Sequence, residues 1–375
     1  MKNPFNYLQF ATGDGFYDRR EIRADLRSRF LSGQTNVVLY GPRRYGKSSL
    51  VAELISDLEK EGVQCVSIDV MKTPTIDLFV SAYVSKIYKK LAPVKFEFKR
   101  LGEFLKSLRF KMTIGADGEP GLSMESAQSR IGPETLEEVL DLPRRLVSAN
   151  KRAVIVLDEF QEVEELLSDG QFERTMRSVI QRHRNISYIF LGSRYHMLRR
   201  MFTDRNRPFY KSAIAIMLDK PPFEESLDFV VSRFESCGKT IPRQVAGQLV
   251  QKIDNIPYYI QQLGFEVFRL VDDAKRKVVS SDDVEAAYRL LSGFNRDQYE
   301  QLMLTFSGAQ KKLLIALAHE HTREFDDAYR SRYLLGASST VNSAKKILIE
   351  YGHIECTEGK YCVADPYFAR YLRGD

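Results

Sequence analysis

The stretch NVVLYGPRRYGKSSLVAEL, residues 36–54, constrains this chain more than any other. Val37 to Tyr40 form an apolar run of strand length, and the residues after Ser48 place apolar positions at helical spacing. Between them lies Gly41-Pro42-Arg43-Arg44-Tyr45-Gly46-Lys47-Ser48, which fits GxxxxGK[ST] in full. A strand that hands a glycine loop to a helix N-terminus is built to hold phosphate. The glycines let backbone N–H groups curl around the anion, and the helix beginning near Lys47 offers its positive end. Lys47 is expected to reach the β- and γ-phosphates of ATP, or the β-phosphate of ADP, and the Ser48 hydroxyl to ligate Mg²⁺. Ser49 follows in the same helical turn and joins the cofactor-binding set.

A second piece, RAVIVLDEFQEV, has the form of a buried strand that ends in two acids, Asp158 and Glu159. At the C-terminal edge of a sheet, beside the loop of the first strand, Asp158 would hold Mg²⁺ through water. Glu159 would polarise the attacking water as general base. Such a pattern also serves as a helix cap, and it is the complete phosphate loop upstream that selects the catalytic reading. A third strand, ISYIFLGSR, brings Ser193 and Arg194 to the same edge. Ser193 would orient the water or sense the γ-phosphate, and Arg194 would pair with that phosphate; a plain strand-ending turn explains both residues equally well.

Around these pieces, short apolar runs alternate with helical stretches: Val37–Tyr40, Val63–Val70, Ala153–Leu157, Ile186–Leu191 and Ala213–Leu218. The alternation predicts an α/β fold with a parallel sheet covered on both faces. A helix from about Arg19 to Leu31 leads in, and FKMTIGADGEPGLSMES, 110–126, reads as a hairpin within a long insertion. Residues 1–222 are thus expected to form the core, 223–293 a helical lid and 294–375 a winged helix. In the lid, Ser280 or Ser281 before Asp282, Asp283 and Glu285 marks a helix start. In the last unit two helices precede GHIECTEGKYCVADP, two strands about a Glu-Gly turn.

Composition narrows the rest. The apolar runs are far too short to span a bilayer, so no membrane role is expected. Cys65, Cys237, Cys356 and Cys362 include no CxxC pair, which argues against a structural metal and for a reduced, cytoplasmic protein. The histidines show no ligand spacing. A net charge of +6 is too mild to demand a nucleic acid. Between Arg174 and Arg207 nine arginines face one acid, Asp204. That run reads as a solvated face, a nucleic-acid surface, or a source of an arginine for a neighbouring subunit.

GPRRYGKS, VIVLDEFQEV and LGSR, with FYDRREI before them and a winged helix after, resemble the archaeal-type ATPases of the STAND class. These are AAA+-related P-loop NTPases of the ASCE type, and the resemblance runs from about Asn3 to Arg373. It implies strand order 5-1-4-3-2, a helical lid and a C-terminal winged helix. It also implies that Phe16, Arg19 and Glu21 lie near the adenine and that Pro257, in Asn255-Ile256-Pro257, touches the base. Asn255 stands where the family carries glycine, and Lys211 where relatives often carry a catalytic arginine, leaving Arg205 and Arg207 as substitutes.

The expected activity is an Mg-dependent ATPase acting as a nucleotide-controlled switch, with self-association under nucleotide control and an unnamed protein partner. A DNA-binding loader or remodeller is the rival; a small-molecule kinase fits the water-activating Asp-Glu pair poorly. Residues 295–375 hold eleven basic and eleven acidic side chains, including Glu355 and Glu358 on the expected wing. A neutral domain lacks the electrostatic term on which duplex affinity largely rests, so DNA is not favoured.

Overall fold

The apolar runs become five parallel strands: β1 (Val37–Tyr40), β2 (Gln64–Asp69), β5 (Ala153–Asp158), β6 (Ile186–Gly192) and β7 (Ile214–Met217). The computed structural model describes residues 2–8, 13–17, 19–92, 110–114, 120–124, 132–167, 170–357 and 359–374. The strands lie in the order β2-β5-β6-β1-β7, all neighbours parallel. Numbered within the sheet this is 5-1-4-3-2, as expected. Register aligns Tyr40 with Gly192 and Asp69 with Asp158, so all five strands end at one edge. β6 is buried along its length and β5 up to Leu157, the pattern of strands covered on both faces. The antiparallel hairpin is present as β3 (Phe110–Ile114) and β4 (Pro120–Met124).

The chain divides into two compact units, one of 21–41 with 50–217, the other of 1–20, 42–49 and 218–375. In the sheet unit, Phe160, Phe190, Phe202 and Phe209 pack as an aromatic cluster, with Phe160 and Phe190 centroids 4.6 Å apart. His183, fully buried, is bonded to Tyr188 at 2.9 Å and Asp141 at 3.2 Å, a structural use of the ring.

In the other unit, helices Phe223–Glu235, Arg243–Lys252, Pro257–Asp273 and Ser281–Phe294 surround a core that includes Val230, Leu249, Ile260 and Leu263. Ser280 and Asp283 form the reciprocal capping box anticipated at the last helix. The winged-helix segment holds helices Gly308–His319, Asp327–Arg332 and Ser338–Glu350, strands β8 (Ile354–Thr357) and β9 (Lys360–Val363), and helix Pro366–Arg373. Among the described residues no helix is long and apolar enough to cross a membrane.

The N-terminal residues are more than a lead-in. Phe5 is 1 % exposed and packs on Phe229 and Phe234. Asn3 Nδ2 donates to the Phe265 carbonyl, and the Asn6 N–H to Gln261 Oε1. Gly264 makes this docking fit, because a Cβ there would stand 2.6 Å from the Phe5 ring. Gly264→Ala should therefore cost about 1–3 kcal/mol by overpacking, and Phe5→Ala about 3–5 kcal/mol by leaving a cavity. Urea melts of both and of the double variant check this. The double should lose less than the sum, since removing the Phe5 ring vacates the space that the new methyl at position 264 needs.

Candidate nucleotide site

β5 ends by delivering Asp158 and Glu159 in two different backbone states. Asp158 closes the strand, and its Oδ1 accepts the Glu159 N–H at 2.9 Å. Glu159 is left-handed, φ 51°, a conformation that costs a residue with a Cβ about 1–2 kcal/mol. Hydrogen bonds hold it there. Its Oε2 accepts the Ser193 N–H and the Ser193 hydroxyl, each at 3.0 Å, and Gln161 Nε2 at 2.6 Å. The sheet unit therefore brings together Asp158, Glu159 and Ser193. Arg194 stands 3.8 Å from Glu162 Oε1, so its charge lies beside an acid. Arg207 is bound by Glu164 and by buried Glu173, whereas Arg205 is exposed.

The phosphate loop leaves β1 at Gly41, and its residues 42–49 belong to the other unit. Gly46, at φ 80°, makes the left-handed turn into helix Lys47–Lys60. Lys47 is 7 % exposed, and its Nζ donates across the loop to the Pro42 carbonyl at 2.7 Å. Ser48 and Ser49 are half-buried in the first helical turn. A buried ammonium, two hydroxyls and the start of a 14-residue helix converge, a donor set that fits a triphosphate with Mg²⁺.

Arg43 is exposed, but the next two loop residues are committed elsewhere. Arg44, left-handed at φ 70°, pairs through Nη1 with Asp365 at 3.0 Å and lies over the rings of Tyr258 and Tyr259. Tyr45 is 1 % exposed, and its hydroxyl donates to Glu355. Glu355 is itself 4 % exposed on β8, so it is no wing-surface charge; that part of the sequence reading is corrected. Glu358 lies outside the described residues. Burial, with Glu355 nearby, pushes the Tyr45 phenol above its ordinary range.

The residues expected near the adenine share this unit, apart from Glu21, which lies in the sheet unit. Arg19 Nη2 donates to the Asp219 carbonyl at 2.7 Å, and Asn255 Nδ2 to the Pro221 carbonyl at 2.7 Å. Asn255 has φ 55°, in the left-handed region that Asn tolerates better than most residues with a Cβ. Pro257 opens its helix at a position where no N–H is needed, and the next N–H, from Tyr258, bonds the Arg44 carbonyl at 3.3 Å. Phe16 is half-buried, its N–H on the Gly13 carbonyl.

Residues 28–201 match the family model for an AAA domain, and residues 297–374 the model for a probable winged helix domain. Among solved structures, the Walker-type ATPase PABY2304 of Pyrococcus abyssi superposes with TM-score 0.64 at 18 % identity, covering 99 % of both chains. The ORC2 protein of Aeropyrum pernix, in its ADPNP–ADP complexes, gives 0.61 at 14 %, covering 99 % of this chain and 95 % of its own. ORC1 of the same organism, in complex with DNA, gives 0.53 at 14 %, covering 100 % and 97 %. No curated protein matches the chain in sequence. The chain carries an AAA domain and a C-terminal winged helix domain.

Within the AAA domain, sequence reading passes over Gln161 and Glu162, which complete the polar cluster at Glu159. The visible signal is a Gln amid the apolar Phe160 and Val163. In the winged helix domain it passes over Asp365, whose side chain caps helix Pro366–Arg373 and also holds Arg44. Nothing local marks that second role.

Lys47→Ala should leave the fold intact and remove most ATP affinity, measured by calorimetry. Glu159→Gln should bind ATP as the wild type does but hydrolyse it at least about 10²-fold more slowly. Asp158→Asn should weaken only the Mg²⁺-dependent part of binding.

Proposed function

We propose that this chain binds ATP with Mg²⁺, hydrolyses it slowly, and works as a nucleotide-controlled switch of the STAND type. Bound Mg²⁺–ATP supplies the phosphoanhydride to be cleaved and the metal charge that offsets its oxygens. Lys47 and the helix N-terminus would bind phosphate, Ser48 and Asp158 would hold the metal, and Glu159 would take a proton from the attacking water. Ser193 orients Glu159.

The observation that carries the switch reading is the anchoring of the phosphate loop on winged-helix side chains. Two consecutive loop residues, Arg44 and Tyr45, end on Asp365 and Glu355. A loop rearranged by nucleotide pulls on both. Winged-helix position is thereby coupled to phosphate occupancy, and self-association under nucleotide control follows as the output. Four free cysteines suit a reducing cytoplasm. The test is hydrogen exchange across residues 354–368 with ADP and with a non-hydrolysable ATP analogue, alongside the particle mass in solution. Different protection supports the switch; identical protection and mass overturn it.

The loader reading asks the winged helix to grip duplex. Lys345, on its second long helix, instead caps the rings of Phe325 and Tyr361 at 5.4 and 5.0 Å. The chain should bind duplex DNA no more tightly than about micromolar at physiological salt. Nanomolar binding lost in Lys345→Glu/Lys346→Glu would favour the loader.

The buried anchor also gives a pH signature. Burial raises the Glu355 carboxyl to about 7; the Tyr45 hydroxyl, Lys220 and Thr357 pull it down, and Asp254 pushes it up. Its ordinary value is 4.5, so the folded chain holds the proton more tightly than the unfolded one. The stability it contributes, about 3 kcal/mol, is complete below the ordinary value and is lost as pH rises through about 7. Glu355→Gln keeps an acceptor for Tyr45 and cannot ionise. Melting temperatures across that window should fall less for the variant than for the wild type.

A further inference from the structure

Gln161 is 1 % exposed and lies two residues beyond Glu159, as a hydrogen-bonding member of the cluster with no catalytic part assigned to it above. Its side-chain amide nitrogen donates to two carboxylates, Glu159 Oε2 at 2.6 Å and Glu162 Oε1 at 3.1 Å. The second of these acids is the neighbour of Arg194. Gln161 Oε1 is buried without a partner among the described residues, a penalty that a side chain present only to fill space would avoid. Gly192 makes room for it, since a Cβ there would collide with Gln161 Oε1 and stand 2.9 Å from Leu198 Cδ2. The glycine of the LGSR segment is therefore a packing partner of the glutamine.

From this arrangement we infer that Gln161 is the positioning residue of Glu159. It fixes Oε2 together with the two Ser193 donors, leaves Oε1 as the atom for water, and links Glu159 through Glu162 to Arg194. Three donors on one oxygen remove the rotational freedom that a left-handed residue at a strand end would otherwise keep. The inference rests on the hydrolytic reading above, in which Glu159 is the general base.

Gln161→Met keeps the volume and removes the donors. In the full chain it should bind ATP with wild-type affinity and keep its KM, while kcat falls on the order of 10-fold, the cost of a misplaced catalytic group. Added to Glu159→Gln, it should slow phosphate release no further, because its whole effect passes through that carboxylate. Gly192→Ala, which keeps every polar group but crowds the amide, should reproduce the kcat loss if Gln161→Met proves unstable. A readout without nucleotide runs in parallel: the melting-temperature shifts of Glu159→Gln and Gln161→Met should be non-additive in the free chain. Wild-type kcat in both Gln161→Met and Gly192→Ala, or a further full loss on top of Glu159→Gln, would sink the assignment alone. A wild-type chain that releases no phosphate would sink the hydrolytic reading, and additive melting shifts would then dispose of the Gln161–Glu159 coupling as well.

Discussion

β6 is buried from Ile186 to Gly192 and β5 from Ala153 to Leu157, so neither strand has an interior position where a charge can reach water. A parallel sheet covered on both faces leaves polar chemistry one outlet, the ends of its strands. Asp158, Glu159, Ser193 and Arg194 all sit at such ends, and the phosphate loop begins at another. The rest follows from that confinement. Once acids gather at one edge, each needs donors, and Ser193, Gln161 and Arg194 supply them. Glu159 tolerates a left-handed backbone because three donors hold one oxygen of its carboxylate.

The phosphate loop answers to a different constraint. A loop that must wrap an anion turns its backbone N–H groups inward, which frees its side chains for other contacts. Arg44 and Tyr45 use that freedom, one in an exposed ion pair with stacked rings, the other in a buried hydrogen bond to an acid. The two contacts differ in kind. An exposed pair contributes little and weakens with salt, whereas breaking a buried bond leaves an acid without compensation. Tyr45–Glu355 is therefore the contact that would register a change in the loop.

The sequence carried the motifs whose chemistry depends on neighbours along the chain. GPRRYGKS, a strand ending in Asp-Glu, the Ser280 cap and the alternation of five apolar runs are all local patterns, governed by backbone geometry and spacing. Even Asn255, read as a departure from glycine, is resolved locally once its φ of 55° is known. Strand order followed from family resemblance, and the register agrees.

Tertiary structure decided where polar side chains find partners distant in sequence. Glu355 reads as a wing-surface charge because strand alternation sets it on the face opposite the apolar Ile354; its partner lies 310 residues away. Phe5 lies in a stretch that reads only as a lead-in to the domain, yet it is core, because Gly264 in a helix far along the chain leaves room for its ring. Gln161 needs Gly192 in the same way. Local propensity and motif chemistry fix which elements form and where the glycine loop meets its helix. Burial of a charge or a ring depends on which surfaces meet, and that is settled only when the chain has folded.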